Sequence, residues 1–311
     1  MSDVYSHHVS CIRPSGVRPL NYPERVQKAW GFLFWGGGHM RVRRIAVLID
    51  GGFFLKRLPK LVGPQFCTTP KQVADTARHL CKRHVQRLTH SSTDQDIEGL
   101  WLDHVYRLFY YDATPYEGVS HHPILNRRIE FSKSEVASFR KELFSELRHK
   151  RKFALRLGYV TKESDWRLSE RVTRQILRVC KSVDRIEAGF LQGANQSAPG
   201  ETYRAELSEI IAALRAIGVS EVTFGLRQKG VDMRIGLDIA SMTLKRQVDT
   251  IVLVTGDSDF VPAAKLARRE GVEFLLDPMW QQVSDDLSEH VDGVVSVFPK
   301  PSAGDESLMA A

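Results

Sequence analysis

Residues 251–260, IVLVTGDSDF, constrain the fold of this chain more than any other stretch. The first four are apolar, mostly β-branched and without polar alternation, which is typical of a central parallel strand covered on both faces. Thr255 and Gly256 interrupt the run. Asp257 and Asp259 then follow where the carboxyl end of a strand opens into a ligand-binding crevice in α/β sheets. A plainer interpretation is that one acid only caps the next helix, because Asp is a favoured N-cap.

A second apolar run also ends in an acid. Residues 45–49, IAVLI, predict another central strand, with Asp50 at its end and Gly51 and Gly52 after it. These glycines let the backbone pass close to a ligand. Asp before Gly is also common in ordinary turns, so the motif alone leaves both interpretations open.

Strands and helices alternate along most of the chain. Strands predicted over residues 101–111 and 272–276 also end in acids, Asp112 and Asp277. Helical periodicity is present in residues 69–88, 131–152, 166–182, 201–217, 229–244 and 261–270, and a short strand is predicted at 221–226. The pattern predicts an α/β protein with a Rossmann-like, mostly parallel central sheet flanked by helices, and with a long helical insertion.

The segment KGVDMRIGLDIASMTL, residues 229–244, adds two further acids. Asp232 begins its helix, where a carboxylate can cap the helix and also face a cation. Asp238 follows six residues later, which is about 240° around a straight helix. The two side chains therefore do not share a face, and Asp238 is the weaker candidate for the same site.

The charge of the chain is moderately basic, with 44 Lys and Arg against 37 Asp and Glu and a net charge of +7. Basic residues are densest in a predicted helical insertion at about 119–200. We expect one basic helix to continue into residues 151–160, RKFALRLGYV, where it could follow a phosphate backbone. Solubility alone explains such charge equally well. Residues 1–39, rich in Pro and Gly, predict a flexible or appended leader, residues 40–299 the folded domain, and residues 300–311 a disordered tail.

Several classes of function find no support in the sequence. The four cysteines are widely separated and form no CxxC motif, which argues against a disulfide framework or a structural zinc site. Cys81 and His84 lack two further ligands, and the pair His121 and His122 is read as part of a surface loop. No stretch is long and apolar enough to span a membrane, so we expect a reduced, cytoplasmic protein.

The acids at the strand ends predict a metal site. Two charges about 4 Å apart repel by about 4 kcal/mol at an effective dielectric near 20, so converging carboxylates require cations. Mg²⁺ or Mn²⁺ suits an all-oxygen site, and the matching chemistry is phosphodiester hydrolysis. Two alternatives remain: a module that binds RNA or a protein without cutting, and another phosphoryl-transfer enzyme, for which a DxD nucleophile after the first strand is missing.

Three motifs in order, IDGGFF at 49–54, KGVDMRIGLDI at 229–239 and VLVTGDSDF at 252–260, resemble the NYN domain. RLFYYDATP at 107–115 resembles its LabA-like branch, within the PIN-like metal-dependent ribonucleases. The resemblance implies RNA cleavage with Mg²⁺ or Mn²⁺ held by Asp50, Asp232, Asp257 and Asp259. It also raises Asp238 as a metal ligand, with Asp112 peripheral. The chain departs from the family pattern after Asp50, where Gly52, Phe53 and Phe54 replace the usual Asn.

The substrate side of the prediction rests on polar and basic residues around these motifs. We expect single-stranded RNA as the partner, with DNA as an alternative and homo-oligomerisation possible. The residues predicted to contact the substrate are Lys229, Thr255, Ser258, Arg140, Lys141 and Arg148.

Overall fold

The computed structural model describes residues 42–90, 99–192 and 201–301. The predicted leader at 1–39 lies outside the described residues, as do residues 193–200 of the predicted insertion and all but the first two residues of the predicted tail. Among the described residues, no helix is long and apolar enough to cross a membrane.

A seven-stranded sheet forms the centre of the described fold, in the order β6-β5-β2-β1-β7-β8-β9. All neighbouring strands are parallel except β5 and β6. This confirms the predicted α/β class with a mostly parallel sheet. The strands are β1 (Ile45–Asp50), β2 (Val105–Thr114), β5 (Phe153–Leu168), β6 (Val222–Lys229), β7 (Thr250–Val254), β8 (Glu273–Asp277) and β9 (Gly293–Val294), while β3 (Val119–His122) and β4 (Arg127–Glu130) form a separate antiparallel pair.

Helices cover both faces of the sheet because its central strands are apolar on both sides. Along β1, Ile45, Val47 and Ile49 face one hydrophobic cluster, and Ala46 and Leu48 face the other. The first cluster includes side chains from α1 (Gly51–Arg57), α2 (Pro70–Thr89) and α3 (Glu135–Arg148). The second includes side chains from α6 (Val231–Leu244), α7 (Val261–Arg269) and α8 (Asp285–Glu289). Two further helices, α4 (Glu170–Gln192) and α5 (Glu201–Arg215), lie between β5 and β6 in sequence.

The prediction of a basic helix running through residues 151–160 was wrong. Residues from Phe153 onward form β5, and Trp166, expected to begin the next helix, also lies in this strand. The physical reason is an alternation of period two: Phe153, Leu155 and Leu157 pack on one cluster, while Ala154 and Val160 pack on the other. Basic residues among these positions obscured the strand pattern.

The long strand β5 extends past the carboxyl edge of the parallel sheet. Its pairing with β2 ends at Tyr159 opposite Thr114, whereas its pairing with β6 continues to Leu168. Because β6 is antiparallel, it returns towards the carboxyl edge, and its last residue, Lys229, pairs with Tyr159. The start of α6 is thereby brought to the edge where β1 and β7 end.

Candidate active site

Asp50 stands at the carboxyl end of β1, in the centre of the sheet. Its Oδ1 accepts a hydrogen bond from the backbone N–H of Phe53 (3.1 Å), which caps α1. Its Oδ2 accepts one from the buried hydroxyl of Thr255 (3.3 Å), just after β7. A Cβ at Gly51 would lie 2.6 Å from the backbone oxygen of Tyr111, so only glycine fits this tight turn. Both oxygens of Asp50 are therefore fixed in direction.

The turn after β7 carries the next two acids. Thr255 also accepts a hydrogen bond from the backbone N–H of Asp257 (3.3 Å), and Asp257 Oδ1 accepts one from the N–H of Asp259 (3.0 Å). Asp257 thus caps a single 3₁₀ turn, Ser258–Phe260. The plainer interpretation predicted a cap on the helix that starts at Val261, but the N-cap position of that helix is Phe260, which makes no side-chain cap. One oxygen of Asp257 makes the cap of the 3₁₀ turn, and the side chains of Asp257, Ser258 and Asp259 are all exposed at the edge.

Asp232 reaches the same region from the opposite flank. It lies in the first turn of α6 and is exposed. Gly230, with a φ of 76°, makes the sharp turn out of β6. Gly158 permits the close approach of this turn to β5, because a Cβ there would lie 2.4 Å from the backbone oxygen of Lys229.

The four carboxylates share one electrostatic field. The pKa of Asp50 is raised from 3.8 to about 6. Burial is the main cause, the hydrogen bonds from Phe53 and Thr255 oppose it, and the negative charge of Asp232 adds to it. The pKa of Asp232 is raised by desolvation and then by the charges of Asp257 and Asp259. Asp232 therefore couples the acid of β1 to the two acids that follow β7.

Four carboxylates are the kind of oxygen ligands that bind a hard divalent cation such as Mg²⁺. Within residues 42–90, 99–192 and 201–301, no three or more His, Cys, Asp or Glu side chains are grouped closely enough to enclose a metal. Mg²⁺ does not require such a cage, because it retains several waters and binds through one or two carboxylates together with substrate phosphates. The open acidic edge suits that mode of binding.

Asp238 is held by partners other than these four acids. Its Oδ2 accepts a hydrogen bond from the Tyr111 hydroxyl (2.9 Å), and its Oδ1 pairs with Arg156 Nη2 (2.8 Å). Both carboxylate oxygens are thereby used to hold α6 against β2 and β5. Asp232 and Asp238 thus have different surroundings, in keeping with a six-residue spacing that puts them on different faces of the helix.

Two other strand-end acids are withdrawn into the interior. Asp277, only 1% exposed, contacts His84 Nε2 at 2.7 Å and accepts a hydrogen bond from the N–H of Met279. Asp112, fully buried, forms an ion pair with Arg140, while its Oδ2 has no partner among the described residues. Neither acid joins the four carboxylates at the acidic edge. His84 has a structural partner in Asp277, which accounts for it without a metal.

The predicted substrate-binding residues occupy different surroundings. Lys229 and Ser258 are exposed at the acidic edge, and Thr255 is buried behind it as the link between Asp50 and Asp257. On α3, Arg140 is occupied by Asp112, and Lys141 Nζ pairs with Glu117 (2.8 Å). Arg148, the third basic residue of α3, is exposed.

The sequence predicts a loop at residues 278–282, after β8, but not its left-handed backbone. Met279 and Trp280 have φ values of 48° and 60°, a conformation that bulky residues rarely adopt. Arg57 of α1 donates to the carbonyl of Met279 (2.7 Å), and the Trp280 indole N–H donates to that of Phe298 (2.7 Å). The adjacent Gln281 packs beside Gly256, next to Asp257. Local hydrogen bonds, from Met279 N–H to Asp277 and from Gln281 N–H to the Pro278 carbonyl, form the turn. The contacts to Arg57 and Phe298 are distant in sequence, so no local pattern predicts them.

The fold and the acidic edge define a class of protein: a mostly parallel α/β domain with several carboxylates along the carboxyl edge of its sheet. Comparison with known families refines this description. The model of the NYN domain family matches residues 170–298. The matched segment contains Asp232, Asp257 and Asp259, whereas Asp50 and β1 precede it.

Whole proteins similar to this chain were sought among curated proteins and among solved structures. No curated protein matches the chain. Among solved structures, a protein of unknown function from Vibrio parahaemolyticus RIMD 2210633 is similar at 13% identity with a TM-score of 0.37, and the match covers 84% of this chain and 99% of that one.

Proposed function

We propose that this protein is a divalent-metal-dependent ribonuclease of the PIN-like class. The observation that carries the proposal is the arrangement of Asp50, Asp232, Asp257 and Asp259 at one sheet edge, where Thr255 is hydrogen-bonded to both Asp50 and Asp257. The raised pKa values of Asp50 and Asp232 agree with it. The NYN match over residues 170–298 supports it, because NYN domains are generally nucleases. The motifs at 49–54 and 107–115 support the finer assignment to the LabA-like branch.

The four carboxylates would hold Mg²⁺ or Mn²⁺, which activates water and stabilises the leaving oxygen of a phosphodiester when bound. The residues around them set the geometry. Thr255 and the Phe53 N–H orient the Asp50 carboxylate, and the 3₁₀ turn orients Asp257. Exposed Lys229 supplies a positive charge for a substrate phosphate near the start of α6.

Single-stranded RNA is the substrate that we propose, with single-stranded DNA as the comparison. The site lies on an open sheet edge, where Lys229 is exposed. Arg148 is exposed at the far end of α3, towards the start of β5. Neutralising phosphates with such side chains releases counterions and favours binding of a strand. The role predicted for Arg140 is not retained, because its guanidinium already pairs with the buried Asp112.

The decisive experiment is cleavage of end-labelled single-stranded RNA and DNA with Mn²⁺, Mg²⁺ or EDTA. We expect wild type to cut RNA only with metal, and Asp257→Asn to lose at least about a hundredfold in rate, since removal of one electrostatic catalytic group commonly costs that much. Asp103→Asn is the matched control, because Asp103 precedes β2 at the opposite edge and is exposed. Equal activity of wild type and Asp257→Asn would refute the assignment.

A second candidate is a module that binds RNA without cutting it. The absence of an enclosed carboxylate cluster among the described residues favours this alternative, as does the missing Asn after Asp50. Calorimetry with Mn²⁺ separates the two functions. A metal-dependent heat that disappears in Asp257→Asn supports the nuclease, whereas RNA binding with neither metal heat nor cleavage supports the silent module.

A further inference from the structure

A cavity of about 490 Å³ lies beside the acidic edge, between α3, the end of β2 and the β5–β6 pair. Its walls are largely apolar and include Pro115, Tyr116, Phe131, Val136, Val160 and Leu226. Val136 is 66% exposed and Leu226 38% exposed, so apolar surface is left open to solvent here. The volume falls within the range of about 300–1,000 Å³ that is usual for small-ligand sites.

The aromatic wall of this cavity is held in place from behind. The Tyr116 ring meets that of Phe131 at 5.5 Å, and Phe131 stacks on Phe224 at 4.8 Å with an interplanar angle of 26°. Trp166 packs on Phe224 at 5.1 Å and donates its indole N–H to Ser120 (3.1 Å). A wall fixed in this way offers flat apolar surface with little ordering cost on binding.

The charges around the cavity favour a neutral ligand. Arg140 lines it, but its guanidinium pairs with Asp112, a fully buried carboxylate. An incoming phosphate would have to compete with Asp112 and would leave that carboxylate unpaired in the interior. Ser134 is also occupied, because its hydroxyl donates to the carbonyl of Phe131 (2.7 Å) and accepts from the N–H of Ala137 (3.2 Å).

Gln228 connects the cavity with the acidic edge. It lines the cavity, is exposed, and lies near the end of β6. A Cβ at Gly52 would lie 3.5 Å from Asp50 Oδ1 and 4.0 Å from Gln228 Oε1, so the carboxylate and the amide flank the same glycine. A ligand in the cavity would therefore lie within one nucleotide's reach of the carboxylates, with an amide able to hydrogen-bond a base edge.

We propose that this cavity binds one unpaired nucleobase of the strand whose phosphate lies at the acidic edge. The ring stacks against the wall formed by Tyr116 and Phe131, and Gln228 contacts its edge. This inference rests on the proposed function for the identity of the strand. It adds that a nucleotide already unpaired at this position is favoured, because a paired base would first have to be extruded from its duplex at a cost of a few kcal/mol.

The test measures binding of a fluorescein-labelled five-nucleotide RNA by anisotropy in EDTA, where a metal-dependent enzyme does not cut. A series of oligonucleotides carries one abasic site at each position in turn. For wild type we expect one position to stand out, with affinity weakened about 5-fold to 150-fold, as expected for loss of one base stacked on an aromatic side chain.

Two variants examine whether that base occupies the cavity. Val136→Trp fills it from an exposed position on α3, and Tyr116→Ala removes part of the wall. Leu244→Trp, at the 61% exposed end of α6, is the control. In both cavity variants we expect weaker binding of the intact oligonucleotide and no remaining dependence on the sensitive base. The control should behave as wild type, and circular dichroism melting verifies folding.

Several outcomes would overturn the inference: no RNA binding in EDTA, equal loss at every abasic position, or a sensitive base that persists in both cavity variants. Self-association of wild type that Val136→Trp abolishes, without any base dependence, would assign the cavity to a second copy of the chain. Failure of the proposed nuclease gives a different result, which is base-dependent binding in EDTA without cleavage in Mn²⁺.

Discussion

At the scale of single residues, Asp50 combines a helix cap with an electrostatic link to a second acid. One oxygen caps α1, as the simple turn interpretation predicted, and the other is held by Thr255. The same carboxylate lies in the field of Asp232. Capping and cation binding are therefore compatible at this position, because a carboxylate has enough lone pairs for both.

We expect Asp50→Asn to stabilise the metal-free protein above neutral pH. The folded-state pKa of Asp50, about 6, lies above its ordinary value of 3.8, so folding favours the protonated form. That contribution is fully present below about pH 4 and is lost as the pH rises through 6. The neutral Asn keeps the cap and avoids the buried charge. Thermal melting in EDTA should show a gain of at most about 3 kcal/mol at pH 8 and none at pH 4.

Without metal at pH 8, Asp50→Asn should be more stable than wild type. Added Mn²⁺ should make wild type the more stable of the two, because ligand binding to the folded state stabilises wild type but has little effect on Asp50→Asn. Asp103→Asn, at the opposite edge, serves as the control and should follow wild type in both buffers. A metal-free Asp50→Asn protein that melts no higher than wild type at pH 8 would contradict the assigned cost of the buried charge.

At the scale of elements, α6 carries two acids with different tasks. Asp232 faces the acidic edge, while Asp238 bonds to Tyr111 of β2 and Arg156 of β5. The helix is thus oriented by the second acid so that the first is presented at the edge. Asp238 is best described as a positioning residue.

We expect Asp238→Asn and Asp232→Asn to have opposite effects. Loss of the Asp238 charge weakens its bonds to Arg156 and Tyr111 and should lower the free energy of unfolding by about 1–3 kcal/mol. The Mn²⁺ concentration at half-saturation of Asp238→Asn should stay near that of wild type. Asp232→Asn removes an exposed, mutually repelled charge, so stability should be retained while Mn²⁺ binding weakens. Urea unfolding and calorimetry measure the two quantities, and a selective loss of Mn²⁺ binding in Asp238→Asn would refute this division.

The elements that the sequence predicts well are those with continuous apolar runs. β1 and β7 are recognisable because both faces are buried, and the acids at their ends follow from the geometry of parallel sheets. β5 was missed because basic residues interrupt its period-two pattern. The burial of Asp277 against His84 was not predictable either, because His84 lies 193 residues earlier and no local pattern connects the two.

At the scale of the whole molecule, the net charge is +7, but several basic side chains are already paired with acids. Arg140 neutralises Asp112, Lys141 pairs with Glu117, and Arg156 pairs with Asp238. A count of basic residues in the insertion therefore overstates the charge available to a nucleic acid. Exposed residues such as Arg148 are better candidates for that role.

We expect Arg148→Gln and Arg140→Gln to differ in the salt dependence of RNA binding. If Arg148 contacts a phosphate, its loss should reduce the slope of log affinity against log salt by about 0.7, the value for one contact on a single strand. Arg140→Gln should leave the slope unchanged and instead destabilise the fold, because Asp112 loses its partner. Anisotropy in EDTA at several salt concentrations gives the slopes, and an unchanged slope for Arg148→Gln would remove that residue from the interface.

The position of β1 between β2 and β7 also determines when the protein can become active during synthesis. Asp50 and Thr255, which share a hydrogen bond, are 205 residues apart. At translation rates of roughly 5–20 residues per second, Asp50 waits about 10–40 s on the ribosome before its partner is made. The acidic edge therefore cannot form until the chain has grown past Thr255, so its assembly depends on the last fifth of the sequence.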